Sequence, residues 1–439
     1  MSPSEPGAEP RAESDDRTRR LLRRRERVLA AGYRLFYRRP VELVAGSGAR
    51  VTDAAGREYL DAYNNVPVIG HSHPLVAERV AVALGRINTH TRYLDEALLD
   101  YSERLLARFG PGLDRISYAC SGSEAVDLAM RIARHVTGAR GMLCTSNAYH
   151  GVTSAAASVS PSLGDPGAQD RAVVAVGAPD ELRDDPREAP EAFAERVRAG
   201  IAELRARGCG FAGMICDSVL SSDGVQGGPA GLLGPARQAV REAGGLWIAD
   251  EVQAGFLRTG EAWWGYERHG LDPELVVLGK PMANGLPVSA VVGGAETLDR
   301  FGGEVRYFST FGGTPVGVAA ASAVLEVLSA GGVRERVLRA GAALREGLAG
   351  LAEQYPGIAP PRGAGLFLGL ELVRDGDRPD PERASALVEG MRERGVLLAS
   401  TGPGGNVLKI RPPLVFDEAD AERLTAALED ALASGPEPS

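Results

Sequence analysis

A chain of 439 residues, 44% hydrophobic and 24% charged, is long enough for about two or three folding units and needs no disulfide or metal to hold a core. Its 49 basic and 58 acidic residues leave a net charge of −9, which argues against broad nucleic-acid binding, where a basic domain or stripe is the rule. The scattered Cys120, Cys144, Cys209 and Cys216 make no CxxC pair and no zinc-finger spacing, so they read as thiols of a reducing compartment rather than as a metal site.

In chain order, residues 1–16 are Pro, Glu, Ser and Asp with almost nothing to bury, and read as a disordered tail. The stretch Met1–Arg11 lacks an apolar signal core, and no apolar run is long enough to cross a bilayer. The expectation is a cytoplasmic protein with no membrane partner. Arg17–Arg39 is basic and helical in pattern, and most simply a solvated face.

Arg115–Cys120 reads as a short buried strand, followed by a helix over Ser123–His135 with an acidic start. Strand-like apolar runs recur at Gly141–Thr145, Ala172–Val176, Ala212–Cys216, Leu246–Ala249 and Leu275–Leu278, with helical stretches such as Glu191–Arg207 and Pro235–Ala243 between them. This alternation predicts an α/β fold, a mainly parallel central sheet with helices on both faces. From Thr314 the pattern changes to helices Val316–Leu328 and Val333–Tyr355, a strand Leu366–Leu372, a helix Arg383–Arg394, strand-like pieces Val396–Ser400 and Val407–Ile410, and a last helix. That is α+β. Residues 17–75 and 314–439 are therefore assigned to a smaller α+β domain built from both ends of the chain, and 76–313 to the large domain.

The basic residues carry a clue of their own. Only Lys280 and Lys409 are lysine, and the other 47 are arginine. A guanidinium cannot replace an ammonium that must lose its proton and attack a carbonyl, so both lysines are suspects. Leu246–Ala249 ends in Asp250 and Glu251, at the strand edge where open α/β sheets place ligands. Leu275–Gly279 delivers Lys280 in the same way. A carboxylate facing a pyridine nitrogen and a lysine able to form a Schiff base would suit one cofactor, although an acidic pair after a strand also suits Mg²⁺ or a helix cap. Cys120–Ser121–Gly122–Ser123–Glu124 is a strand end, a tight turn and a helix start. It suits a phosphate or an ordinary N-cap.

The motifs YLDAYNNVPVIGHSHP, SGSEAVDLAMRIAR, NAYHG, ADEVQAGFLRTG, GKPMANGLPVSAVVGG, YFSTFGGTP, RGAGLFLGLEL and NVLKIRPPLVF follow one another in this order. From about Tyr59 to about Phe416 the chain thereby resembles the class III (ω-amino-acid type) aminotransferases, pyridoxal 5'-phosphate enzymes of fold type I. The resemblance implies that Lys280 is the Schiff-base lysine and proton carrier. It implies that Asp250 pairs with the pyridinium nitrogen and Gln253 with the ring 3'-hydroxyl, with Val252 beneath the ring and Tyr149 above it. Gly122 and Ser123 would hold the phosphate. Thr310 would reach the cofactor phosphate of a neighbouring subunit, so that the active site needs a homodimer. Glu251 and His150 fit as supporting groups, His150 being read first as a structural histidine. Glu124, Arg258 and Arg362 read as salt-bridge or turn residues, and Trp263 and Trp264 as either core or pocket wall.

Two departures bear on the reaction. The resemblance places a carboxylate-clamping arginine where this chain has Lys409, in Lys409–Ile410–Arg411–Pro412, and a gating glutamate where it has Ser222. Lysine neutralises an anion but lacks the bidentate fork that suits a carboxylate, whereas phosphate accepts a point charge. The combination resembles the branch of ethanolamine-phosphate and phosphohydroxylysine phospho-lyases, while Thr314 and Val126 stand where that branch has asparagine. The expected reaction is β- or γ-elimination from a small primary amine or amino acid, through an external aldimine and quinonoid, releasing ammonia and a carbonyl product. Lys409, Arg411, Ser222 and Tyr63 would face the substrate. The alternatives are transamination to a 2-keto acid, elimination coupled to bond formation, and a non-catalytic use of the fold.

Overall fold

The computed structural model describes residues 10–164 and 170–434. Three short N-terminal strands, β1 (Leu43–Ser47), β2 (Arg50–Asp53) and β3 (Glu58–Asp61), form an antiparallel meander. The large sheet follows: β4 (Arg115–Ala119), β5 (Met142–Thr145), β6 (Val173–Val176), β7 (Gly213–Asp217), β8 (Leu246–Asp250), β9 (Leu275–Leu278) and β10 (Ser289–Gly293). Its order is β4-β10-β9-β8-β7-β5-β6. The inner strands are continuous apolar runs, because helices cover both faces of a parallel sheet; every residue of β5, β8 and β9 is buried.

The sheet is mainly parallel, as the alternating pattern implies. The exception is β10, which lies antiparallel between β4 and β9. Only a 3₁₀ turn, Lys280–Ala283, and a Gly-Leu-Pro stretch separate β9 from β10. A parallel crossover needs about a dozen residues or more, usually with a helix, so this short connection can only reverse the chain.

The C-terminal part supplies β11 (Arg362–Ala364), β12 (Phe367–Glu371), the small ribbon β13 (Val373–Arg374) with β14 (Arg378–Pro379), then β15 (Val396–Leu397), β16 (Ala399–Thr401) and β17 (Val407–Ile410). The run expected as one strand over Val396–Ser400 is two, divided at Leu398. β15 pairs in parallel with β3, placing Val396 opposite Leu60, while β16 joins β17 in the sheet β11-β12-β17-β16. Segments from both ends of the chain thus share the sheet β1-β2-β3-β15. Helices Pro315–Ser329 and Val333–Gln354 connect the C-terminal part to the large sheet, and buried apolar residues run continuously through both parts.

At the N-terminus a helix spans Pro10–Val28, beginning inside the segment assigned to a disordered tail. Residues 1–9 of that segment lie outside the described residues. The helix also ends sooner than the basic run to Arg39 suggests. The chain turns at Ala30–Gly32, the Arg25 guanidinium donates to the Tyr33 carbonyl, and Tyr37 anchors the segment by donating to the Leu398 carbonyl. Among the described residues no single helix is long and apolar enough to cross a membrane.

Candidate active site

Four strands of the large sheet end at one edge around a cavity of about 250 Å³. β4 delivers Cys120 and the turn to Gly122–Ser123, β5 leads into Tyr149–His150, β8 delivers Asp250, and β9 delivers Lys280; all line this cavity. Convergence at the carboxyl ends of parallel strands is where such sheets bind ligands.

The turn after β4 is built as an anion cradle. The helix Gly122–Thr137 starts there with Ser121 as its N-cap, and its first intrahelical bond runs from Ala125 N–H to the Ser121 carbonyl. The N–H groups of Gly122 and Ser123 precede that bond and keep the free donors of a helix N-terminus. Gly151, on the facing loop, has φ +148°, and a Cβ there would stand 2.5 Å from Ser123 Oγ. Only glycine lets the two walls approach so closely. Val252 forms the floor, and Cβ atoms at Gly122 or Gly279 would come within 3.3 Å of its methyl groups.

Asp250 is buried, and its Oδ2 lies 2.6 Å from Nδ1 of the buried His150, whose Nε2 has no hydrogen-bond partner. Glu251, one residue on, faces away from the cavity. It is fully buried and accepts hydrogen bonds from Ser218 Oγ (2.5 Å), Gly265 N–H (2.7 Å) and Tyr266 N–H (2.9 Å). Burial pushes its carboxyl up to about 7.

Lys280 is half-buried, its open side facing the cavities that it lines. Desolvation, and then the Arg411 guanidinium, lower its ammonium to about 8. An amine near neutrality in a dry pocket is what imine chemistry needs. A cradle of free N–H groups, a buried carboxylate, an apolar floor and a depressed lysine fit the pyridoxal phosphate that the motifs imply.

A second cavity, of about 590 Å³, adjoins the first and shares Tyr149, Gln253 and Lys280 with it. Its far wall is Lys409 and Arg411. Lys409 sits mid-strand in β17, opposite Gly369 and Ala399. Both cations are buried. Arg411 and Lys409 both donate to Gln253 Oε1, Lys409 at 3.3 Å, and Arg411 Nε donates to the Tyr63 carbonyl. Aromatic rings lie beside both: Arg411 is 5.1 Å from the Tyr63 ring and 5.5 Å from Phe367, and Lys409 5.4 Å from Phe367, with the Asp217 carboxylate close enough to act on each. Neither forms an ion pair among the described residues. Burial, and then Arg411, hold the Lys409 ammonium well below its usual range.

Of the other sequence-derived candidates, Ser222 and Tyr63 line the outer cavity. Gln253 stands between the two cavities, its Nε2 donating to Ser221 Oγ at 2.8 Å. Thr310 is exposed and lines neither cavity of its own chain. Glu124 accepts from the Cys120 N–H, Arg362 pairs with the buried Glu371 at 2.6 Å, and Arg258 donates to the Leu366 and Pro412 carbonyls. Trp264 is fully buried and stacks on Phe109, and Trp263 packs beside it under Arg108; neither lines the inner or the outer cavity. Asn147, Thr401 and the turn Gly402–Gly405 also line the outer cavity without being singled out from sequence. The Gly-Pro-Gly-Gly composition of that turn is the only local signal.

A family model described as Aminotransferase class-III matches residues 37–432. A Drosophila melanogaster protein named alanine–glyoxylate aminotransferase 2-like is 35% identical over 437 residues, covering 94% of this chain and 88% of that protein. A Caenorhabditis elegans protein named ethanolamine-phosphate phospho-lyase homolog 1 is 33% identical over 434 residues, covering 94% of this chain and 93% of that protein. Among solved structures, a phospholyase from Arthrobacter in complex with phosphoethanolamine superimposes with a TM-score of 0.91 at 42% identity, covering 95% of this chain and 100% of that one.

Proposed function

The chain belongs to the class III aminotransferase family, whose members depend on pyridoxal phosphate, and on that premise we propose that it is a phospho-lyase acting on a small phosphorylated primary amine. The observation that carries this reading is the outer wall: the buried Arg411 guanidinium and the buried Lys409 amine, neither in an ion pair among the described residues, face the cavity into which Lys280 opens. Charging a buried amine beside a guanidinium is costly unless a ligand brings the opposite charge. A phosphate dianion satisfies both, and an ammonium point charge serves phosphate well. The similarity to a phospholyase in complex with phosphoethanolamine supports the same class of substrate.

Bound in the inner cavity, the cofactor supplies an electron sink for the carbon that bears the substrate amine. Asp250, oriented by His150, would face the ring nitrogen of that cofactor. The Gly122 and Ser123 N–H groups would hold its phosphate, and Tyr149 and Val252 would confine the ring. Lys280 Nζ, whose hold on its proton burial and Arg411 weaken, would in its neutral form take the proton from the amine-bearing carbon. Lys409 and Arg411 hold the leaving phosphate as its carbon–oxygen bond breaks. With water, phosphoethanolamine would give phosphate, ammonia and acetaldehyde. Ser222, where a gating carboxylate would otherwise stand, leaves Lys409 without that partner and available to the anion.

Thr310 belongs to the same reading. It and Phe311, which is 70% exposed, stand two or three residues before Gly313, which lines one cavity with the exposed Ile87, Tyr93 and Leu94. A second copy covering that surface would receive Thr310 at its cofactor phosphate, making a homodimer with shared sites. Light scattering of the holoenzyme, and weakened cofactor retention in Thr310→Ala, test this.

The deciding experiment adds O-phosphoethanolamine and a panel of small amines to the cofactor-loaded enzyme without any keto acid. Repeated release of ammonia and phosphate, with the cofactor's visible band persisting, is expected. Loss of that band after one turnover, restored only by a keto acid, would make the protein a transaminase and Lys409 a carboxylate clamp.

A further inference from the structure

Asp223 has no part in the chemistry above, yet it stands between the loops that wall both cavities. Its Oδ2 accepts from Thr145 Oγ1 at 2.6 Å and its Oδ1 from the Asn147 N–H at 2.9 Å. Asn147 returns a second bond, from Nδ2 to the Ser222 carbonyl at 2.5 Å. Both Asp223 and Thr145 are buried. On one side the bonded loop continues directly to Tyr149, which lines both cavities, and to His150, which holds Asp250. On the other side Ser221 receives Gln253 Nε2 on its hydroxyl and Thr401 Oγ1 on its carbonyl. The carboxylate therefore joins the walls contributed by β5 and β7, and through Ser221 it reaches β16 of the C-terminal sheet.

We infer that Asp223 is a positioning residue, a buried anionic strut that sets the Asn147–His150 loop against the Ser221–Ser222 loop at the expense of stability. The inference requires the cofactor to occupy the inner cavity, and it holds for elimination and transamination alike.

The electrostatics explain the expense. The ionisable groups facing Asp223 are the Asp217 carboxylate at the end of β7, the His150 imidazole across the cavity rim, and the buried Cys144 and Cys216 thiols on the neighbouring strands. No arginine or lysine pairs with it among the described residues. Burial raises its carboxyl to about 6, with the Thr145 hydroxyl and Asn147 N–H opposing and Asp217 adding to the rise. Because the folded-state value lies above the ordinary one, the folded chain holds this proton more firmly. The associated stability is present below about pH 4 and is lost as pH rises through 6. A residue that only supported the fold would do better neutral.

The test uses holoenzyme carrying Asp223→Ala, Asp223→Asn and Thr145→Val, read by the visible circular dichroism of the bound cofactor, the pH–rate profile and the thermal midpoint. Asp223→Ala is expected to retain cofactor but lose dichroism, with kcat about tenfold lower and KM little changed. Asp223→Asn should recover part of kcat and lack the acidic inflection expected of wild type near pH 6. Thr145→Val removes a donor to the charged form, so the inflection should move to higher pH. It decides the matter even if the alanine variant fails to fold. An alanine variant with normal dichroism and kcat but a lower midpoint would make Asp223 merely structural. An inflection that survives in Asp223→Asn, or stays in place in Thr145→Val, would overturn the inference.

Discussion

The inner and outer cavities share Tyr149, Gln253 and Lys280, yet they are built by different means. The inner one is made where strands of a single sheet end, so the backbone itself fixes the helix N-terminus, Asp250 and Lys280. The outer one is assembled from β17, from β16 with the glycine turn that follows it, and from the loop that carries Ser222. It holds its two cations through a shared amide, Gln253, rather than through carboxylates. Chemistry common to a family belongs on rigid strand ends, and substrate choice belongs where loops and a second unit meet. Breaking the inner site should therefore abolish every reaction, while breaking the outer one should change which substrate reacts.

The largest effect is expected from Lys280→Ala. Without the amine there is no covalent attachment and no proton carrier, so turnover should fall by about 10⁴-fold or more. The visible band of the bound cofactor should shift to that of free pyridoxal phosphate. Asp250→Asn comes next. It removes the charge that His150 orients, and kcat should drop by about a hundredfold or more for any amine, with the dichroism of the cofactor altered. Normal turnover in either variant would show that the strand-end site is not the reacting one.

The outer wall predicts a narrower loss. Lys409→Met should lower kcat/KM for phosphoethanolamine by about 10- to 100-fold, the loss of one charge-assisted hydrogen bond, with cofactor content unchanged. An equal loss for unphosphorylated amines would show that Lys409 supports the cofactor and not the substrate anion.

These differences also explain what could be read from the sequence. The strand runs and the Asp250/Lys280 pair were legible because a parallel sheet demands apolar strands followed by its functional residues at one end. The scarcity of lysine made Lys280 and Lys409 conspicuous. β10 was hidden because its direction depends on the length of a connection and not on its own apolar pattern. The run Val396–Ser400 looked like one strand because local periodicity says nothing of which sheet each half joins. Asn147, Thr401 and Asp223 stayed unread for a related reason: their roles arise from loops far apart in sequence, and a polar loop residue carries no periodic signal.

Asp250 and Glu251 carry the same contrast down to adjacent residues. Glu251 accepts three hydrogen bonds from Ser218, Gly265 and Tyr266, so Glu251→Gln turns an amide N–H toward a donor and leaves a buried N–H or hydroxyl unpaired. A loss of about 1–3 kcal/mol in unfolding free energy is expected, with cofactor dichroism unchanged. A spectral change without a stability loss would give Glu251 a role at the cofactor that its orientation does not support.

The smallest effect is one of pH, and it ties the two cavities together. Lys280 is lowered from 10.5 to about 8, first by burial and then by Arg411, which stands in the outer wall. The folded apoprotein therefore binds this proton less tightly than the unfolded chain, and the group's contribution to stability grows as pH rises from about 8 toward 10.5. Only the neutral amine attacks the cofactor aldehyde, so the rate at which apoprotein recaptures pyridoxal phosphate should rise with pH and level off above about 8. Arg411→Met removes the nearby positive charge and should move that midpoint upward, whereas Ser222→Ala, equally part of the outer wall but uncharged, should not. If Arg411→Met leaves the midpoint in place, burial alone sets the lysine, and the outer wall serves the substrate without tuning the residue that reacts with it.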